Sequence, residues 1–174
     1  MKSFFSLSLM SMLLLASLNS CAQKEDKAKR PSPPASATQK VGEATIKIDY
    51  SQPSVKGRTI GKDLEPMAGK VWRTGANEAT VFEVDKDVMV EGKALPKGKY
   101  ALFTIANGDD WTVIFNKKAD QWGAYDYKEA DDALRVNVKA GKAASFAEKM
   151  AFAINADGKV SLMWGATQVD FSVK

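Results

Sequence analysis

Histidine is absent from the chain, and cysteine occurs once, at Cys21. The first absence removes the usual general base at neutral pH, the Ser-His-Asp arrangement and the commonest zinc ligand. The second excludes any intramolecular disulfide, and a lone thiol supplies no cysteine metal cluster. No internal period marks a solenoid or a propeller. No Gly-rich run ends in Gly-Lys-Ser/Thr, so there is no phosphate cradle of that type. What chemistry remains would rest on carboxylates, lysine, tyrosine or a hard cation held by oxygens. Neither a cofactor nor a resident metal is expected.

A charge of one sign is also missing from most of the chain. The formal net charge is +4, but Lys2 lies in the leader described below. The stretch 22–40 carries +3, from Lys24, Lys27, Lys29, Arg30 and Lys40 against Glu25 and Asp26, so residues 41–174 are neutral. The excess sits in a tail, and nucleic acid is not an expected partner.

What is present begins with Cys21. Lys2 forms a positive start, Phe4 to Leu18 an apolar stretch, and Leu18-Asn19-Ser20-Cys21 a small-residue cleavage site ending in cysteine. This reads as a lipoprotein signal peptide over 1–20, too short to remain as a membrane span. Cleavage before Cys21 would leave its thiol to carry a diacylglycerol and its amine free for acylation by a fatty acid such as palmitate. A bacterial outer-membrane lipoprotein follows as the expectation, on the cell surface or the periplasmic face. The membrane is then a partner through the lipid on Cys21. Residues 21–40, rich in Pro, Ser, Ala and Lys, read as a disordered tether of about twenty residues, reaching ~60 Å when stretched.

From 41 to 174 the pattern is one domain of short strands. Ile46, Ile48 and Tyr50 alternate with polar residues, as do Leu134, Val136 and Val138, and Val169, Phe171 and Val173. Lys99 to Ile105 is apolar on both faces and reads as a central strand. Asp157-Gly158 is a two-residue hairpin signal with positive φ at both centres. Short helices are expected only near Ala140–Ala147 and Lys128–Ala133. The sum is an all-β domain: an antiparallel β-sandwich of jelly-roll type, or alternatively a closed β-barrel.

Three patches could carry chemistry. In Trp72-Arg73-Thr74-Gly75-Ala76-Asn77-Glu78, Trp72 offers a stacking face, and Arg73, Asn77 and Glu78 directional hydrogen bonds. The competing reading makes Trp72 core and Arg73–Glu78 an internal pin. Trp122-Gly123-Ala124-Tyr125, with Asn116 before it and Asp126, Glu129, Asp131, Asp132 and Arg135 after, suits a sugar ring or another flat ligand. It equally suits staples under a long loop, and its acids lack the spacing of a calcium loop. The third patch, Gln52 to Arg58, is a Pro/Gly-punctuated loop.

Pro53-x-x-x-Gly57-Arg58, Trp72 through Thr80, Gly98-x-Tyr100-x-Leu102-Phe103, Trp111 through Asn116, Trp122-Gly123-x-Tyr125 and Asp132-x-x-Arg135 together resemble the domain-of-unknown-function 2911 family. The resemblance implies an exported, often lipid-anchored bacterial protein, and it carries no settled activity. Its motif positions here are Arg58, Trp72, Arg73, Asn77, Glu78, Asn116, Trp122, Tyr125 and Arg135, which become the candidate ligand-binding residues. Three functions remain open. One is a binding module for a small polar ligand, a glycan or an envelope partner. Another is a glycoside hydrolase using Glu78 and Asp132, whose chemistry needs two carboxylates roughly 5 to 9 Å apart across a cleft. The last is a purely structural envelope protein.

Overall fold

The computed structural model describes residues 26–174. The expected leader 1–20 and Cys21 lie outside the described residues. Among the described residues are ten strands: β1 (Pro34–Val41), β2 (Ala44–Ser51), β3 (Val71–Trp72), β4 (Thr80–Val84), β5 (Val88–Val90), β6 (Lys93–Leu95), β7 (Gly98–Asn107), β8 (Asp110–Asn116), β9 (Asp132–Ile154) and β10 (Lys159–Ser172). One sheet runs β1-β2-β4-β7-β8-β9-β10, with β3 also on β7, and β5-β6 form a separate hairpin. The pairings between these strands are antiparallel. The large sheet curls into a half-barrel, an all-β architecture between sandwich and barrel.

Period-two alternation builds the core. Ile46 and Ile48 on β2, Phe82 and Val84 on β4, Leu102 on β7 and Phe115 on β8 point inward and are fully or almost fully buried. Phe115 packs edge-on against Phe82 and Phe171, with ring centroids 5.0 and 6.0 Å apart. Each such ring, fully buried, contributes about 1.5–3 kcal/mol from the area removed from water. β7 is central, as its two-faced apolarity predicts. Its outward residues Ala101 and Phe103 join Ala79 and Ile114 in a second cluster, covered by Ala124 and Tyr127. The Tyr127 ring meets Phe103 edge-on at 5.0 Å. This second cluster fastens the loop after β8 onto the outer face of the sheet.

Four local expectations differ from the structure. Residues 34–40, expected as disordered tether, form β1, paired along its whole length with β2 from Pro34↔Ser51 to Val41↔Ala44. Small Ala35, Ala37 and Val41 are enough, because they need only cover the edge of an existing core. The stretch 140–147, expected as helix, lies inside the 23-residue β9. Its pairing with β10, from Val169↔Ala140 to Gly165↔Ala147, outweighs the helix preference of alanine. Near 128–133 there is only the 3-10 turn Glu129–Asp131. Finally, the β9–β10 connection is longer than a two-residue turn. Asn155 N–H donates to the Lys159 carbonyl at 2.9 Å, and of the three residues between them only Gly158 has positive φ, at 90°.

Candidate functional site

The edge of β7 explains the first patch. β3 pairs with it at Trp72↔Thr104, and β4 joins it at Thr80↔Leu102. A single residue of β7, Phe103, therefore separates the partners of the two ends of a loop that runs from 73 to 79. That chain must bulge outward and fold sharply. Thr74 and Asn77 adopt left-handed backbone, φ 51° and 57°, a conformation uncommon for any residue but glycine and an outlier for a β-branched one. Thr74 is held there by its neighbours. Its hydroxyl lies 3.1 Å from that of Thr104, and its carbonyl accepts from Thr80 Oγ1 at 2.7 Å.

A second loop pairs with this one. Ala79 N–H donates to the Gln121 carbonyl at 3.0 Å and Gly123 N–H to the Asn77 carbonyl at 3.1 Å, with Glu78 and Trp122 bridged. The two patches singled out in the sequence thus form one surface. Trp122 is 54% exposed and Tyr125 81%. Arg73 lies beside them. A Cβ built on Gly123 would stand 3.1 Å from Arg73 Nη1 and 3.0 Å from the Tyr125 ring, and Gly123 itself has φ 65°. Buried Arg73 Nε has no hydrogen-bond acceptor among the described residues.

Glu78 is held by cations that the sequence did not place near it. Arg30 Nη1 donates to both carboxylate oxygens, at 3.0 and 2.9 Å, and Lys27 Nζ lies 2.8 Å from Oε1. The Arg30 guanidinium also lies 5.9 Å from the centre of the Trp122 ring, within cation–π reach. Asn77 Nδ2 donates to the Ser32 carbonyl at 3.0 Å, fixing the same N-terminal segment. Partial burial alone would raise the Glu78 carboxyl, but hydrogen bonds from Lys27 and Arg30 outweigh it and bring the group down to about 2.

Behind these contacts is a cavity of about 260 Å³. Lys27, Arg30, Asp49, Glu78, Asp120 and Gln121 supply its polar lining, together with Ser51. Larger depressions of about 460 and 410 Å³ open near Val41–Ala44 and near Asp157–Lys174, and none of the candidate residues lines them.

The other candidates fall elsewhere. Trp72 is core, 2% exposed, with its indole N–H donated to the Gly75 carbonyl at 3.0 Å. It ties its own loop and offers no stacking face. Arg58 donates to the carbonyls of Ser54 and Val55, at 2.7 and 3.1 Å, and closes its own turn. Asn116, Asp132 and Arg135 form an internal network under the loop after β8. Asn116 Nδ2 donates to Asp132 Oδ1 at 2.8 Å and to the Lys128 carbonyl at 3.0 Å, and Asn116 Oδ1 accepts from Gln121 at 3.2 Å. Arg135 Nε donates to Asp132 Oδ2 at 2.6 Å, and its Nη2 to the Tyr127 hydroxyl, which in turn donates to Asp132 Oδ2 at 2.8 Å. Burial first, then the bond to Asp132, pushes the Tyr127 phenol up to about 12. Asp132 does not line the cavity that Glu78 lines, so these two carboxylates are not brought together across it. Among the described residues no group of three or more Asp and Glu is arranged to hold a metal ion.

Sequence reasoning missed Lys27, Arg30, Asp49, Asp120 and Gln121. Arg30 closes the basic run Lys27-Ala28-Lys29-Arg30 ahead of a Pro/Ser/Ala stretch, and such a run carries no pattern that would mark a partner.

Neither a curated protein nor a solved structure matches the chain. A family model does match, over residues 32–173, and the chain accordingly belongs to the family described as Protein of unknown function (DUF2911).

Proposed function

We propose that this domain is a binding module, anchored in a bacterial outer membrane through a lipid on Cys21, that takes a small polar ligand or glycan at the Trp122–Tyr125 surface. The observation that carries the reading is the exposure of these two aromatic rings on a loop pinned by backbone bonds, beside an arginine with an unanswered Nε. Large exposed aromatics in a fixed frame supply stacking area at low entropic cost, and Arg73 and Asn77 supply direction. A thermal-shift screen of the full chain against glycans and small polar metabolites tests it. A hit whose shift disappears in Trp122→Ala supports the reading, and the absence of any Trp122-dependent hit refutes it.

The hydrolase reading fares worse on chemical grounds. A general acid must hold a proton near neutral pH, and Glu78, at about 2, holds none. The purely structural reading draws on the Asn116–Asp132–Tyr127–Arg135 network, which pins a loop and faces no cavity described above.

A further inference from the structure

We propose that the Glu78–Trp122 end of this surface recognises a guanidinium or ammonium group, and that Lys27 and Arg30 of the chain's own N-terminal segment occupy it in cis as an internal competitor. The proposal rests on the binding reading above and names its ligand class.

A spacer has no need to order a long side chain, yet the Arg30 side chain is only 12% exposed. It sits as a ligand would, with one nitrogen shared between two carboxylate oxygens and the guanidinium carbon over an aromatic ring. The cavity behind it is lined by three carboxylates, Asp49, Glu78 and Asp120, and among the described residues the only cations on its wall are Lys27 and Arg30 themselves. Asp49 is in addition paired with Lys47 at 2.7 Å. With the segment lifted away, the wall is acidic and keeps an aromatic face at its rim, the combination that selects cations. Gln121, buried in that wall, adds a side-chain oxygen that accepts no hydrogen bond among the described residues. The family match covers Glu78 and Trp122 but begins at residue 32, after both competing cations. The receptor half of the contact thus belongs to the shared domain, and the plug to the segment that precedes it.

A tethered side chain acts at an effective concentration of the order of millimolar. A free cation must exceed that concentration or gain further contacts in the cavity, and disabling the plug raises its apparent affinity by the reciprocal of the open fraction.

Agmatine, which carries a guanidinium and an ammonium, is the probe. Its binding to the detergent-solubilised full chain is measured by calorimetry, with circular dichroism confirming the fold of each variant. Lys27→Ala combined with Arg30→Ala is expected to bind agmatine at least about tenfold more tightly than the unaltered chain. Adding Glu78→Gln to that pair abolishes the binding. Equal affinity with and without the plug, or binding that survives Glu78→Gln, overturns the proposal. If Trp122-dependent glycan binding is found while no variant binds agmatine, the cation assignment falls and the broader reading stands. If neither is found, both fall.

Discussion

Glu78 shows how one residue's environment sets its possible roles. Its carboxyl is drawn from 4.5 down to about 2 because the charged form is the one that Lys27 and Arg30 hold. The folded state therefore binds the proton less readily than the unfolded chain does. The stabilisation from this contact is complete above about pH 4.5 and is lost as the pH falls toward 2. Urea unfolding midpoints of the native chain and Glu78→Gln should thus differ at pH 6 and converge as the pH approaches 2. A constant difference would place the stabilisation elsewhere. Tyr127 behaves in the opposite sense at the alkaline end. Its phenol is raised from 10 to about 12, so its contribution is intact below pH 10 and fades as the pH rises through 12. Gly158 is a backbone case. Its φ is 90°, and an added Cβ would lie 1.9 Å from the Val173 carbonyl oxygen, a backbone atom that cannot swing aside. Gly158→Ala should cost about 3 kcal/mol or more, read as a shift in the urea midpoint at unchanged slope. At this scale the sequence marked Gly158 as a positive-φ position but not the three-residue length of its turn, nor the left-handed Thr74 and Asn77. It was silent about Arg30, whose partner lies 48 residues away.

Among the elements, the loop between β8 and β9 matters most to the site because it carries Trp122 and Tyr125. Its rigidity comes from two sources: Tyr127 packed on Phe103, and Asn116 at its start. Asn116 is fully buried and answers the Lys128 carbonyl, the Asp132 carboxylate, the Gln121 amide and the Lys118 N–H. Asn116→Ala leaves those groups without their partner and should cost about 2–4 kcal/mol. Hydrogen exchange should then rise across 117–131 while the amides of β2 and β4 stay protected. Uniform exchange across the sheet would show that Asn116 supports the whole fold rather than this loop. The aromatic and acidic residues of this segment stood out in the sequence as one cluster. Their division into an exposed pair and a buried polar network did not, because both groups share the same composition. Only the path of the chain over Phe103 separates them.

For the whole molecule, the segment from 26 to 41 is joined to the domain in a tighter way than its composition suggests. β1 covers the edge of β2, and the residues before it reach the site, so a chain begun at residue 41 would lose both. Such a truncation exposes the full hydrogen-bonding edge of β2 beside Ile46, Ile48 and Tyr50. It should lower the melting temperature by about 10 °C, corresponding to about 4 kcal/mol for a domain of this size, and favour self-association in light scattering. A chain begun at residue 41 that melts with the full chain would show β1 to be dispensable. The proposed lipid anchor on Cys21 is tested by metabolic labelling with a fatty acid. Label is expected on the native chain and absent from Cys21→Ser.

The amino-acid sequence by itself determined the all-β class, the central place of β7 and the alternating faces of β2, of the start of β9 and of the end of β10. The faces follow from a period-two pattern that the extended backbone imposes locally, and the place of β7 from apolar residues on both of its faces. It also marked the two loops that meet at the site, because crowded aromatic and charged residues beside glycine serve neither a strand nor a plain turn. Tertiary structure alone decided that 140–147 is strand, since pairing with β10 supplies hydrogen bonds that outweigh a weak local preference for helix. It alone decided that Trp72 is core while Trp122 faces outward, and that a basic tether closes onto Glu78. Burial and charge pairing depend on which distant segments share a neighbourhood, and no local pattern in the chain encodes that.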